Sequence, residues 1–300
     1  MMLPANRPLA GILWMLLTGV QFVALTVIVK HVGSDLPAPQ SAFLRYFLGM
    51  VFIIPMIRPM IEARLTRRQM WLFGWRGAAH TLGVMLWFYG MTQITIAEVV
   101  AMNYVNPIYV TIGAALFLGE KLALRRILAI GVAFLGAIII LRPGFRELGP
   151  GHLAMVFTAI FLGISYLLAK LMTGEVRPVV ILAMLSTTVT IGLAPFAWAV
   201  WVPPSMEDVA WLFLVACFAT GGHYTMTLAF AAAPVAVTQP VTFLQLVWAV
   251  LAGALLFGEP IDGWVVFGGT VVLGAVSFIA WREYAVKRRE VTPGTNATKV

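Results

Sequence analysis

Charge is scarce in this sequence, and acid is scarcest: 300 residues hold 12 Asp and Glu against 20 Lys and Arg, 11% in all, while 61% are hydrophobic. Soluble domains carry about 25% charged residues to keep their surfaces in water, so a soluble fold is excluded. Cysteine is nearly absent. Cys217 lies inside an apolar run without a partner, which excludes an intrachain disulfide and leaves no thiolate metal site. Catalytic signatures are missing too: there is no HExxH and no GxSxG, and Gly163-Ile164-Ser165-Tyr166 begins like a nucleophile turn but lacks the second glycine. All 12 acidic residues fall at or near the ends of apolar runs. A membrane-embedded catalytic set, or a proton or sodium relay on a mid-membrane carboxylate, is therefore not expected, nor is a cofactor or metal.

What fills the chain is lipid-soluble. Mean hydropathy is +0.94, and apolar runs broken by Gly, Pro or charge fall at 9–32, 38–57, 69–92, 96–118, 124–141, 151–172, 178–201, 208–231, 235–257 and 262–281. Each approaches the roughly 20 residues a helix needs to cross the hydrocarbon with its backbone amides satisfied internally. The first run exceeds a signal-peptide core and no small-residue cleavage pattern follows it cleanly, so it reads as a retained span. The expectation is an all-α membrane protein of ten transmembrane helices, in contact with the lipid bilayer.

A net charge of +8 and a pI near 10.0 could suggest a nucleic-acid partner. The cations instead sit in short loops and tails. Counted alternately across the ten spans, fifteen Lys and Arg fall on one side and three, Lys30, Arg142 and Arg146, on the other, with Arg45 and Arg76 left inside spans. The positive-inside rule puts both termini in the cytoplasm. Arg45 and Arg76 are both expected to snorkel to the nearer interface.

An internal repeat supports the even count. Thr18 and Lys30 recur 140 positions on as Thr158 and Lys170, and Trp71-Leu72-Phe73 recurs as Trp211-Leu212-Phe213; Gly119-Glu120 becomes Gly258-Glu259 at a shift of 139. An ordered series with so little drift marks a duplication. With five spans per half, an odd number, the second copy is inverted, as in secondary transporters. The domains expected are 1–145 and 146–284 as two five-helix repeats, with 285–300 a disordered cytoplasmic tail.

Ala114-Ala115-Leu116-Phe117-Leu118-Gly119-Glu120, the basic turn after it and the glycine-spaced helix ending Leu141-Arg142-Pro143-Gly144 resemble the EamA-type repeat of the drug/metabolite transporter superfamily; Gly253 through Glu259 and on to Trp281 matches less closely. The resemblance spans nearly the whole chain. It implies a permease of the bacterial inner membrane, most like the amino-acid exporters related to the aromatic amino-acid exporter. Leu246 stands where the first half has Pro107, which departs from the pattern.

Deep polar residues are few enough to name. Asn103 and Asn106 share a helical face in the fourth span, and Thr242 and Gln245 stand 139 later in the ninth; His80 and His223 lie at mid depth, and Trp87 follows His80 by seven on the same face. These seven are the candidate substrate-binding residues, although interhelical hydrogen bonding accounts for any one of them alone. Glu120 and Glu259 read as caps for the helix that follows each. Gly83, Gly90, Gly221 and Gly222 read as hinges or as close-packing points. A neutral polar cavity suits small metabolites, amino acids above all, exported or exchanged by alternating access. A multidrug or cation exporter of the same fold, a channel and a membrane-embedded enzyme are the alternatives.

The charge count makes a checkable prediction. In a Cys217-free background, Glu62→Cys and Glu290→Cys are shielded from an impermeant thiol reagent added outside cells, while Glu207→Cys reacts. Labelling of position 62 from outside overturns the orientation.

Overall fold

The computed structural model describes residues 8–32, 35–103, 109, 124–142, 148–172, 175–232, 241 and 243–291. Among these, every regular element is a helix: α1 (Pro8–Val32), α2 (Ala38–Gly49), α3 (Ile57–Glu62), α4 (Arg67–Gln93), α5 (Ile96–Asn103), α6 (Leu124–Leu141), α7 (Pro150–Met172), α8 (Pro178–Ala199), α9 (Met206–Ala232), α10 (Phe243–Phe257) and α11 (Gly263–Val291). Five stretches among them are long and apolar enough to span a membrane: Leu9–Val32, Ala38–Glu62, Pro150–Ala169, Val179–Ala199 and Met206–Met226. Helix α4, with 27 residues, also has the length, about 40 Å at 1.5 Å per residue. Arg76 and His80 lie in its middle, diluting its apolar character. The outer faces are oily, with Leu255 80% and Ile191 67% exposed, as lipid contact requires.

Local chemistry sets the boundaries. Thr66 and Gln69 form a reciprocal capping box that starts α4, while α7 and α8 open on Pro150 and Pro178, whose missing N–H costs nothing at a first helical position. Pro55 sits inside the stretch Met50–Met56, which joins α2 to α3 as a 3-10 helix. A proline there cannot donate to the preceding turn, so the second span is three pieces where the sequence predicts one.

Packing joins early helices to late ones. Helix α1 lies along α9, α4 along α7, α6 along α11, α2 along α8 and α5 along α10. The repeat-matched threonines sit on two of these seams: Thr18 Oγ1 lies 2.8 Å from Thr225 Oγ1 of α9, and Thr158 Oγ1 donates to the Gly83 carbonyl of α4 at 3.3 Å. Glycines let the backbones approach. A Cβ at Gly83 would meet Leu162 Cδ2 at 2.8 Å, and one at Gly221 would meet Gln21 Oε1 at 2.8 Å. Both lie inside continuous helices, so they act as close-packing points and break nothing.

The two ends of the bundle differ. At one, Lys30 of α1 pairs with Glu259 and donates to the Ile94 carbonyl at 2.8 Å, while Glu259 also accepts from Ile96 N–H at 3.0 Å. Glu259 thus caps α5 from 163 residues away, and Asp262, accepting from Trp264 N–H at 2.9 Å, starts α11 instead. This corrects the expectation that Glu259 caps the following helix. Gly258 makes the turn in the left-handed region, at φ +64°, and ends α10. Asp262 also pairs with Arg142. Glu98, only 4% exposed, forms a box with Thr95 and lies 3.4 Å from His152 Nε2. Gln40 exchanges two hydrogen bonds with the Val202 backbone, at 2.6 and 2.8 Å. Glu120 lies outside the described residues.

At the other end Arg68 grips Glu175 through two hydrogen bonds of 2.8 and 3.0 Å, in the open. Hydrogen bonds from Arg68, then Gln69, hold the Glu175 carboxyl below its usual range. That contribution is complete above the ordinary carboxylate range and is lost as pH falls through the depressed value.

The tightest crossing is α6 on α11, where a Cβ at Gly136 would come 2.8 Å from the Gly268 carbonyl oxygen, a backbone atom that cannot swing aside; at Gly131, on the same helix, nothing lies within 4 Å. Gly136→Ala should cost about 1–3 kcal/mol by overpacking, whereas Gly131→Ala should be neutral or gain up to about 1 kcal/mol from helix propensity. Thermal unfolding in detergent measures both, and equal midpoints would show that the crossing is looser than drawn.

Candidate functional site

Helix α4 supplies one wall of a central space through Arg76, His80, Val84 and Trp87, spaced four, four and three apart and so on one face. Helix α2 adds Arg45 and Tyr46, the 3-10 stretch Phe52 and Ile53, and α9 adds Ala219, Thr220 and His223. Tyr166 comes from α7, Ser186 from α8 and Asn103 from the end of α5. The space has a lobe of about 550 Å³ and a second of about 290 Å³. Arg45, Tyr46, His80, Asn103, Tyr166 and His223 line both, so these are two chambers of one cavity. Met56, Leu182 and Met226 border the larger lobe from the helix ends nearest the Arg68 clasp. Thr26, Trp87 and Phe88 border the smaller one, toward the Lys30 end.

His80 organises the middle. Its Nε2 lies 2.9 Å from Tyr46 Oη and its Nδ1 3.0 Å from Ser165 Oγ, so both ring nitrogens are engaged and the ring plane is fixed. A neutral imidazole offers one donor and one acceptor, and the two hydroxyls adapt to either tautomer. Tyr166 meets the same ring edge to face at 6.4 Å, and His223 meets Phe22 likewise at 5.3 Å. The smaller lobe is accordingly walled by aromatic rings: Phe22, Tyr46, Trp87, Phe88 and Tyr166.

The sequence candidates divide cleanly. His80, His223 and Asn103 line both lobes; Trp87 and Gln245 line the smaller one. Asn106 and Thr242 lie outside the described residues, as does Pro107. Thr220 faces the larger lobe.

The arginines correct the sequence reading. Neither Arg45 nor Arg76 snorkels: both line the larger lobe. Arg76 is 6% exposed and donates Nη1 to the Ile181 carbonyl at 2.9 Å, while the Arg45 guanidinium stacks over the Tyr46 ring at 4.0 Å. No Asp or Glu is among the described residues that line either lobe. The cavity is cationic and aromatic, not neutral. One signal in the sequence pointed this way: Arg76 stands four residues before His80, on the face already chosen for the site. Tyr46 and Tyr166 were missed because a tyrosine in an apolar run carries no periodic signal of its own.

Comparison with known proteins agrees with the fold. A solved crystal structure, 16% identical and covering 94% of this chain and 99% of its own, superposes with a TM-score of 0.59. A riboflavin transporter of Rhizobium johnstonii is 32% identical over 289 residues, 95% of each chain. A riboflavin transporter of Vibrio cholerae is 28% identical over 293 residues, 95% of this chain and 97% of that one. An S-adenosylmethionine uptake transporter of Rickettsia conorii is 25% identical over 282 residues, 94% of this chain and 96% of that one. The model of the EamA-like transporter family matches residues 9–142 and again 149–281. With apolar helices around a polar cavity and two copies of that repeat, the chain belongs to the EamA-like transporter family, as a multi-pass transporter of the bacterial inner membrane and not an enzyme.

Proposed function

We propose that this chain carries a flat heteroaromatic metabolite of the riboflavin class, by alternating access, with the cargo in the central cavity. The observation that carries the reading is an aromatic-walled cavity with two guanidinium groups and no acid among its described lining residues. Its larger lobe, about 550 Å³, falls within the roughly 300–1,000 Å³ of pockets that hold drug-sized ligands. Trp87 and Tyr166 offer faces on which a fused ring system stacks. Asn103 and Gln245 offer hydrogen bonds to ring nitrogens, carbonyls and hydroxyls, while His80, with both ring nitrogens engaged, holds the Tyr46 hydroxyl in the wall.

Charge chooses between the relatives' cargoes. S-adenosylmethionine carries a sulfonium and an ammonium against one carboxylate, a net cation that two arginines disfavour, whereas riboflavin is uncharged. The same repulsion sets aside a multidrug or cation exporter. Amino acids, expected from the sequence, would leave most of the cavity unfilled, and the named relatives lend that reading no support.

The transport cycle follows from the packing. The pairs α1 with α9 and α7 with α4 exchange under the repeat offset, as two inverted five-helix halves require, and ten spans with both termini cytoplasmic complete that arrangement. The described ion pairs and capping contacts at the Lys30 end join one half to the other. The larger lobe reaches toward the Arg68 end, which supports an inward-facing conformation. The described lining offers no carboxylate for a proton relay, so flux is facilitated or exchange-driven.

Counterflow of labelled riboflavin in vesicles of the pure protein should saturate. Trp87→Ala should raise half-saturation roughly ten-fold through lost ring contact, and Asn103→Ala several-fold through one hydrogen bond of about 1 kcal/mol. Leu255→Ala, on the lipid face, serves as control. Saturable amino-acid flux without riboflavin flux, or unchanged half-saturation in both variants, would remove this reading.

A further inference from the structure

The flavin-type reading uses the cavity's cations only to exclude cationic cargo and gives them no bond to make. We infer that Arg45 and Arg76 form an anion subsite in the larger lobe, so that the preferred cargo bears a phosphate monoester or similar anionic group beside its flat body. This rests on the central cavity being the cargo site.

Two like charges lining one lobe within a membrane are expensive unless something of opposite sign accompanies them. No protein acid does so: among the described residues neither arginine has a carboxylate within ion-pair distance. Arg76 is only 6% exposed; Nη1 is satisfied by the Ile181 carbonyl, and Nε has no partner among the described residues. A purely structural arginine bridging α4 to α8 would be satisfied at Nε as well as at Nη1 and would gain nothing from a second cation nearby. Arg45 spends the face of its guanidinium on Tyr46, 4.0 Å away, which leaves its N–H edge free to donate in its own plane. Planar forks of this kind match the oxygens of phosphate two at a time. Ser186 and Thr220, on the wall of the same lobe, supply neutral donors for a third oxygen.

The two lobes then divide the molecule. Aromatic rings dominate the lobe toward Lys30, and Arg76, Ser186 and Thr220 belong only to the lobe toward Arg68; Arg45 borders both. A cargo with a fused ring at one end and a phosphate at the other fits that polarity, with the charged end nearest the open side. Among flavins this is the 5′-phosphate in preference to riboflavin itself.

The test is equilibrium dialysis of the full chain in nanodiscs of phosphatidylcholine, using two matched pairs: riboflavin 5′-phosphate against riboflavin, and 1-naphthyl phosphate against 1-naphthol. In each pair the phosphate should bind about ten-fold tighter or more, as charge-assisted hydrogen bonds imply. Arg45→Gln should pull the ratio toward one; it is the safer variant, because Arg76 also ties α4 to α8. Added sulfate should lower the affinity of the phosphate member alone, which reads the subsite without any substitution. Equal binding within both pairs, or a ratio that survives Arg45→Gln and sulfate, overturns the subsite. Preference in the naphthyl pair with no binding of either flavin would keep the subsite and sink the flavin reading instead. If phosphatidylglycerol in the discs erases the preference, the occupant is a lipid headgroup and the cargo assignment is wrong.

Discussion

A guanidinium inside a bilayer has to be solvated by something other than lipid, and two of them face each other's neighbourhood here. Arg76 takes a backbone carbonyl from α8, and Arg45 takes the face of a tyrosine one residue along its own helix. Neither contact neutralises charge, and although α2 and α4 both pack on α8, a polar space remains where the two guanidinium groups enter the larger lobe. The aromatic rings, the fixed imidazole of His80 and the hydroxyls of Ser165 and Ser186 are arranged around that need. The cavity is the consequence of the charges as much as their container.

The ends of the bundle meet a different constraint. At the Lys30 end the pairs are withdrawn from solvent, with Lys30 and Glu259 side chains 19% and 10% exposed. A buried pair adds little net stability, because desolvation offsets attraction, but separating it strands a charge at a cost of about 3–5 kcal/mol. At the Arg68 end the Arg68 and Glu175 side chains are 61% and 42% exposed, and water replaces the lost partner easily. One end is therefore held by contacts that resist partial opening and the other by contacts that yield. Alternating access, as proposed above, needs two states within a few kcal/mol of each other, and one end whose contacts yield opposite one whose contacts resist is an asymmetry on which such an exchange can turn.

Much of the frame could be read in advance because lipid makes sequence simple. Runs predicted at 9–32, 151–172 and 208–231 correspond to Pro8–Val32, Pro150–Met172 and Met206–Ala232, since a spanning helix must be apolar for its whole length and must stop at charge or proline. His80, His223, Asn103, Trp87 and Gln245 were legible as rare polar or amphipathic groups at depth. The arginines were not. Depth along one helix says how far a side chain is from water above and below the membrane, but not whether water reaches it sideways through the protein. Reading both as snorkelling removed the fixed charges of the described lining from the cavity and led straight to neutral, amino-acid-sized cargo. Glu259 failed for a related reason: its partners, Lys30 and Ile96, are 229 and 163 residues away, and local capping rules see only the next helix.

The relatives show how little of this the fold decides. Proteins between 16% and 32% identical share the architecture, yet those named for a cargo include riboflavin, which is neutral, and S-adenosylmethionine, which is cationic. An aromatic wall serves either, since both carry a fused heteroaromatic ring. What separates them is the sign of the charge beside that wall, and a membrane-enclosed cavity amplifies the difference because bulk water and salt screen it poorly. In this chain two arginines without a described acidic neighbour set that sign. Selectivity within such a family can therefore turn on one or two positions in α2 and α4, while the hundred or more apolar residues around them vary at little cost so long as they stay apolar and fill the same space.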